Sequence, residues 1–440
     1  MDLSRRYLLA SGPALAAGLA LASKAEAAKL GLDPQSDRDQ SEELQAALDK
    51  AAARGGALFL PAGRYRASGL RLEQPLHLSG VPGATILVAA KPGPVLALSN
   101  APQVTLSGLS FDGAGLDGDG TSRSALLAAA GCQGLVISSC SFSGSKASGV
   151  TLIECAGRII DSHLSDFGKV GLFALDSKGL EIAGNHLRDI GNNAIQVWTS
   201  DRREDGTLII GNRIERVAAN DGGDGQNGNG INIFRGSGVT VANNRITDCA
   251  FSAIRDNSGD NITIANNNCA RITETAIFVE FAFSGAVVTG NMLENVSAGI
   301  SITNYNEGGR LAVCANNVVR DVKGGGPNPN GRAIGIGVEA DTVVNGNVIE
   351  NSAEIGLAIG WGHYLRNINA GGNIIRNCPI GIAVSAVQGA QSALIANNLI
   401  SGATQGAIFG MNHAEPATGD LALKPDEIPP HLVLRNNLIS

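Results

Sequence analysis

Apolar residues along this chain follow two periods. Over residues 39–54, Leu44, Ala47, Leu48 and Ala51 recur at i, i+3, i+4 and i+7, which predicts one amphipathic helix. Ser41 with Glu42 and Glu43 marks its start, and Gly55-Gly56 its stop. Beyond that point the period falls to two, in short runs separated by turns. A Gly or Asn, then Asn, then an apolar residue two positions on recurs from Gly184-Asn185-His186-Leu187 to Asn436-Asn437-Leu438-Ile439. The second residue of the motif steps 291, 317, 347, 373, 398. Asparagine tolerates the left-handed conformation of a tight turn and can also stack as an amide ladder. Each copy is followed by a small-Ile-x-apolar segment such as Ala194-Ile195-Gln196-Val197 or Gly230-Ile231-Asn232-Ile233. Two short strands in each repeat of about 25 residues, repeated about eleven times, specify an all-β parallel β-helix. The helix at 39–54 then reads as a cap, because an uncovered first coil would expose apolar side chains and unpaired backbone groups.

Composition agrees with thin, repeated layers. The 440 residues include 58 Gly but only 11 Phe, 4 Tyr and 2 Trp, and charged residues make up 17%. This excludes a disordered chain, and the lack of a strict glycine period excludes collagen. A length that suggests two or three domains is read instead as one elongated solenoid, residues 28–440. With 33 basic against 40 acidic residues, net −7, there is no basic stripe to bind nucleic acid. The seven cysteines lack any CxxC and read as small buried apolar residues.

Stacked strands put their outward residues in columns. One expected column is Gln196, Asn232, Arg255, Phe278, Ser301, Gly335, Ala358 and Ala383; the next is Trp198, Phe234, Asn257, Glu280, Thr303, Gly337, Gly360 and Ser385. The face is large, polar and aromatic up to residue 310 and small beyond Gly335. Aromatic rings beside amides and charges suit sugars, whose apolar faces stack while their hydroxyls hydrogen-bond. The candidate binding residues are Gln196, Trp198, Asn232, Phe234, Asn257, Phe278, Phe281, Asn304, Asn306, Glu307, Glu339 and Trp361. Lateral packing of loops over the same rings is the alternative. Arg255 and Glu280 fall on adjacent coils, as substrate-facing groups or as an inter-coil salt bridge. Arg255 and Arg310 are candidates to neutralise a uronate carboxylate, and Glu280 and Tyr305 to act as the base. Asp256 has inward phase, where an unpaired carboxylate is costly. The Gly-rich loop 221–230 offers Asp221 and Asp224 as candidates for Ca²⁺, or folds over the cleft. No His pair has metal-ligand spacing, and nothing else in the sequence requires a cofactor.

The N-terminal segment Ser4-Arg5-Arg6-Tyr7-Leu8-Leu9, an apolar run too short for a stable membrane span, and Ala25-Glu26-Ala27 resemble a twin-arginine signal peptide over residues 1–27. With the cap helix, the Leu60-Pro61-Ala62-Gly63-Arg64-Tyr65 segment and the asparagine-marked coils, the chain resembles the twin-arginine-exported repeat proteins of the pectate-lyase-like superfamily. That resemblance implies a single-stranded right-handed β-helix, passage through the twin-arginine translocase, and a bacterial periplasmic or secreted location. Its relatives are mostly polysaccharide lyases, hydrolases and uronate epimerases. The expectation is therefore a carbohydrate-active protein, a lyase or epimerase on an acidic polysaccharide. A glycoside hydrolase, or a non-catalytic glycan-binding or envelope-structural β-helix, is the alternative. The catalytic motifs of alginate epimerases and polygalacturonases are absent, so no residue role carries over.

Overall fold

The computed structural model describes residues 23–303, 307–328 and 331–440. The paired arginines Arg5 and Arg6, and the candidates Asn304, Tyr305 and Asn306, lie outside the described residues. Residues 23–29, which include the Ala25-Glu26-Ala27 segment, are helical, with Ala27 buried. The chain forms two compact units, divided between Gly168 and Lys169. Together they carry about 14 turns of parallel β-solenoid.

In the first unit the cap helix spans Ser41–Ala52 and buries Leu44, Ala47 and Leu48. Gln45 explains how it closes the solenoid end. Its side-chain amide donates to the Arg71 carbonyl (2.9 Å) and accepts from the Arg71 amide (2.8 Å), satisfying the open edge of the strand Leu70–Leu72. Most turns are made of three strands, not two. The first turn is Ala57–Leu60, Gly63–Arg66 and Leu70–Leu72, each paired in parallel with its successor one turn on. Phe111 and Phe142 stack on adjacent turns, their ring centres 4.8 Å apart and their planes nearly parallel.

The second unit repeats the plan around a ladder of asparagines. The Nδ2 of Asn185, Asn212, Asn244, Asn267, Asn291, Asn317, Asn347, Asn373 and Asn398 each donates to the Oδ1 of the next, at 2.9–3.0 Å. The same Oδ1 accepts the backbone N–H of the preceding ladder residue, as Asn291 does from Asn267. Buried amides are thus paired along the stack, as burial demands. The residue before each ladder Asn takes the positive φ, as at Asn243 (58°) and Gly290 (67°). Turn and ladder are therefore separate jobs on adjacent residues. In the first unit Cys140 and Ser162 interact at the equivalent corner, the Cys140 amide donating to Ser162 Oγ. Turns there lack the asparagine marker, which is why the sequence count fell short at eleven.

Candidate functional site

The strands Ile195–Glu204, Ile231–Ser237, Ile254–Asn257, Asn268–Glu280 and Met292–Thr303 stack in parallel in the second unit. Their register puts Gln196, Asn232, Arg255, Phe278 and Ser301 in one outward column, and Trp198, Phe234, Asn257, Glu280 and Thr303 in the next. The following coil departs from the expected alignment by two residues. Ser301 pairs with Gly337, not Gly335, and Gly337 with Ala358. The insertion between Val322 and Ile334 allows this slip, and it carries Glu339 on to the row of Thr303, where its amide donates to the Ile302 carbonyl (3.2 Å). Glu339 is buried rather than presented on an open face.

Arg255 is buried and held by two carboxylates. Its Nε and Nη2 donate to the two carboxylate oxygens of Glu280 at 2.7 and 3.0 Å, a bidentate pair, and its Nη1 donates to Glu274 at 3.1 Å. The guanidinium lies 4.9 Å from the centre of the Phe278 ring. Asn257 Nδ2 reaches Glu280 at 3.3 Å, and Ser252 Oγ donates to Glu274 at 2.9 Å. Gly225, with φ 132°, covers the cation so closely that a Cβ there would fall 1.9 Å from Nη1. Thus the loop 221–230 folds over Arg255, and the arginine is held by protein carboxylates rather than open to a substrate's. Burial pushes the Glu274 carboxyl above the ordinary glutamate value, against the opposing pull of Arg255 and Ser252.

Glu274 also lines a cavity of 260 Å³ with Phe278, Ser301, Asn328, Arg332 and Trp361. Phe278 and Trp361 supply rings, Ser301 and Asn328 neutral polar groups, and Arg332 a cation. Arg332 Nε is anchored on Glu354 at 2.8 Å and Nη1 on the Ala414 carbonyl at 3.3 Å. The glycine-rich segment after Val322 walls one side. Gly326 sits where a Cβ would meet the Thr273 carbonyl at 1.7 Å, so only glycine permits that approach. Sequence reasoning missed Glu274, Ser252, Asn328 and Arg332. Glu274 lies at a register shift between Ile272 and Thr275 within the strand Asn268–Glu280, where counting alternate residues fails. An acidic residue six positions before Glu280 in one apolar segment was the available signal.

Other candidates lie apart from this cavity. Trp198 donates from Nε1 to Asn232 Oδ1 (2.7 Å) and packs edge-on against Phe173 and Phe234. Arg235 covers the Phe234 ring at 4.6 Å, so these rings pack laterally. Gln196 is buried, whereas Phe281, Glu307 and Arg310 are exposed. Arg310 begins the strand Arg310–Ala315, which pairs with Ser284–Thr289 on a different face from Arg255. Asp221 is occupied by Lys169 (2.5 Å) and Asn192 (2.7 Å), Asp224 is exposed, and among the described residues no cluster of His, Cys, Asp or Glu could hold a metal ion. Among the described residues no helix is long and apolar enough to cross a membrane.

The repeat geometry and the sequence agree on a class. The family model for a right-handed β-helix region matches residues 149–321 and 193–373, together more than half of the chain. The protein belongs to the right-handed β-helix family. Among solved structures, the pre-mature gene product 12 of bacteriophage phi29 aligns with TM-score 0.55 at 15% identity, over 87% of this chain and 53% of the phage protein. The chain thus spans about half the length of that protein. A PL6 alginate lyase in complex with a trisaccharide aligns with TM-score 0.51 at 14% identity, over 90% of this chain and 93% of the lyase. The catalytic unit of a GH87 α-1,3-glucanase from Streptomyces thermodiastaticus aligns with TM-score 0.49 at 16% identity, over 94% and 68%. At these identities the likeness is one of fold. No curated protein matches the sequence.

Proposed function

We propose that this β-helix protein acts on an acidic polysaccharide, as a lyase or epimerase, with Glu274 as the base. The observation that carries the reading is a largely buried carboxyl, raised by desolvation, in the wall of a 260 Å³ cavity that also offers two aromatic rings and an arginine. A raised carboxyl is the stronger base once deprotonated. In this reading Glu274 takes the proton α to the uronate carboxylate, Arg332 faces that carboxylate, and Phe278 and Trp361 stack on sugar rings. Arg255 and Glu280, first considered as reacting groups, become positioning residues that hold Glu274. The shared fold with an alginate lyase that binds a trisaccharide is consistent with such a substrate. Export through the twin-arginine translocase to the periplasm or beyond, inferred from residues 1–27, would bring the protein to extracellular polymers.

A panel of uronate polymers and neutral glucans, read by ultraviolet absorbance for unsaturated products and by NMR for C5 inversion, tests the proposal. Turnover on a uronate polymer that falls about 100-fold or more in Glu274→Gln, with folding retained, supports it. The second reading is a glycan-binding β-helix, favoured by the pairing of Arg255 with protein carboxylates rather than with an open cavity. Binding without turnover, weakened by Trp361→Ala, would select it.

A further inference from the structure

Two of the seven cysteines meet. The strands Ala125–Ala130 and Ser148–Ile153 of the first unit pair with Ala130 opposite Ile153, and Cys132 and Cys155 each lie two residues further on. The chain stays in register through this corner: the Gly131 amide donates to the Ile153 carbonyl and the Ala156 amide to the Cys132 carbonyl, both at 2.9 Å. Cys132 and Cys155 therefore occupy equivalent positions one turn apart. One strand spacing, about 4.8 Å, lies inside the Cα separation of about 4.4–6.8 Å that a disulfide accepts. The side chains also point alike. Cys132 Sγ lies 3.5 Å from the Ala130 carbonyl and Cys155 Sγ 3.3 Å from the Ile153 carbonyl, and the two thiols hydrogen-bond to each other.

The other described cysteines lack this relation. Cys140 has Ser162 on the adjacent turn. Cys249 and Cys269 sit on adjacent turns but out of step, Cys249 opposite Ile272 and Cys269 opposite Ile246. The Cys132–Cys155 corner also lies just under the surface. Both cysteines are buried, but Ala130, Gln133 and Glu154 beside them are exposed, so local fraying of one turn admits a small reagent.

We propose that Cys132 and Cys155, thiols in this structure, are a site of disulfide formation that staples two adjacent turns of the first unit. The oxidant is a small-molecule disulfide of the glutathione class. The Cys132 thiolate attacks one sulfur of the oxidant and releases the first glutathione thiolate, leaving a mixed disulfide. Cys155 sulfur then attacks Cys132 sulfur, the mixed S–S bond breaks, and the second glutathione leaves. Two protein thiols are oxidised, one disulfide is reduced, and both protons end on the released thiols. The contact with Cys155 pulls the Cys132 thiol below its ordinary value and pushes Cys155 up, which favours Cys132 as the first nucleophile.

The experiment uses the full chain, incubated with oxidised glutathione, alkylated under denaturing conditions and mapped by mass spectrometry. The expected result is a linked peptide pair containing Cys132 and Cys155, two hydrogens lighter than the reduced pair, with the other five cysteines alkylated. The oxidised protein should melt about 5 °C higher, and dithiothreitol should reverse the shift. Cys132→Ser and Cys155→Ser should each lose both the link and the shift. Recovery of both wild-type thiols as alkylated, or a stable glutathione adduct on Cys132 that never passes to Cys155, overturns the proposal. The wild-type measurement stands alone if a variant fails to fold. The proposal does not depend on the polysaccharide reading, because it is read without substrate.

Discussion

Replacing Asp256 by valine should stabilise this protein at neutral pH. Asp256 interrupts an inward column that otherwise reads Val197, Ile233, Val279, Ile302, Val338, Ile359 and Val384 through successive turns. The residue is fully buried, and among the described residues neither carboxyl oxygen has a hydrogen-bond partner of good geometry. Desolvation pushes its carboxyl well above the usual range, an effect the Gly259 amide only partly opposes and the nearby Glu280 and Asp260 reinforce. A buried polar group without partners costs about 1–3 kcal/mol, and burying a valine side chain in its place contributes about 1.5–3 kcal/mol, of which neighbour adjustment takes a share. A net gain of about 2–4 kcal/mol, or roughly 4–7 °C in Tm, is expected.

The sign of the pH dependence follows from the raised folded-state value. The native state keeps a proton that the unfolded chain releases above its ordinary value of 3.8. Wild-type stability from this group is therefore fully present below that value and is lost as pH rises towards the native one. Valine has no such dependence, so its advantage should widen between pH 4 and pH 7. Thermal or urea unfolding of both proteins across that range measures it. A variant no more stable than wild type at pH 7, or an advantage that does not change with pH, would refute the reasoning. Either result would mean that Asp256 is charged and compensated inside the solenoid.

Further outcomes can be checked by unfolding and, for the last of them, by turnover. Arg255→Met leaves Glu274 and Glu280 buried without their cation and should lose about 3–5 kcal/mol, whereas a surface pair such as Lys178 with Glu204 should contribute little. Asn291→Leu removes the acceptor of both the Asn267 amide and its side chain, and the donor to the Ile264 carbonyl, for a loss of about 3 kcal/mol or more. Leu311 is exposed in a left-handed conformation (φ 64°), so Leu311→Gly should gain about 1 kcal/mol, and an unchanged or lower Tm would count against strain there. If Glu274 is a base, turnover should rise with pH through a value above that of an ordinary glutamate, because the deprotonated carboxylate acts.

The β-helix was legible in the sequence because a solenoid repeats its physical demands. Turn after turn of the second unit places a left-handed residue and then a ladder amide at the same corner, so Gly184-Asn185 and Asn436-Asn437 look alike though far apart. The cap helix was legible for the same local reason, with Leu44, Ala47 and Leu48 on one stripe. The outward columns were readable from Gln196 to Ser301, where loops between coils leave the register undisturbed. The reading failed at Gly335, because the number of residues inserted in a loop does not say where the next strand re-enters the ladder. It also missed Glu274, since a register shift breaks the alternation that assigns a side chain to a face. Which partner Arg255 takes was likewise undecided by sequence: Glu280 was visible as a neighbour, but the register shift hid Glu274 in the same strand, and the covering Gly225 arrives from another segment. The sequence alone therefore determines the stacking of turns, which depends on residues close together in the chain. Only the tertiary structure decides which charges are buried together and which carboxyl meets the cavity, because those outcomes depend on distances between coils and the paths of the loops that cover them.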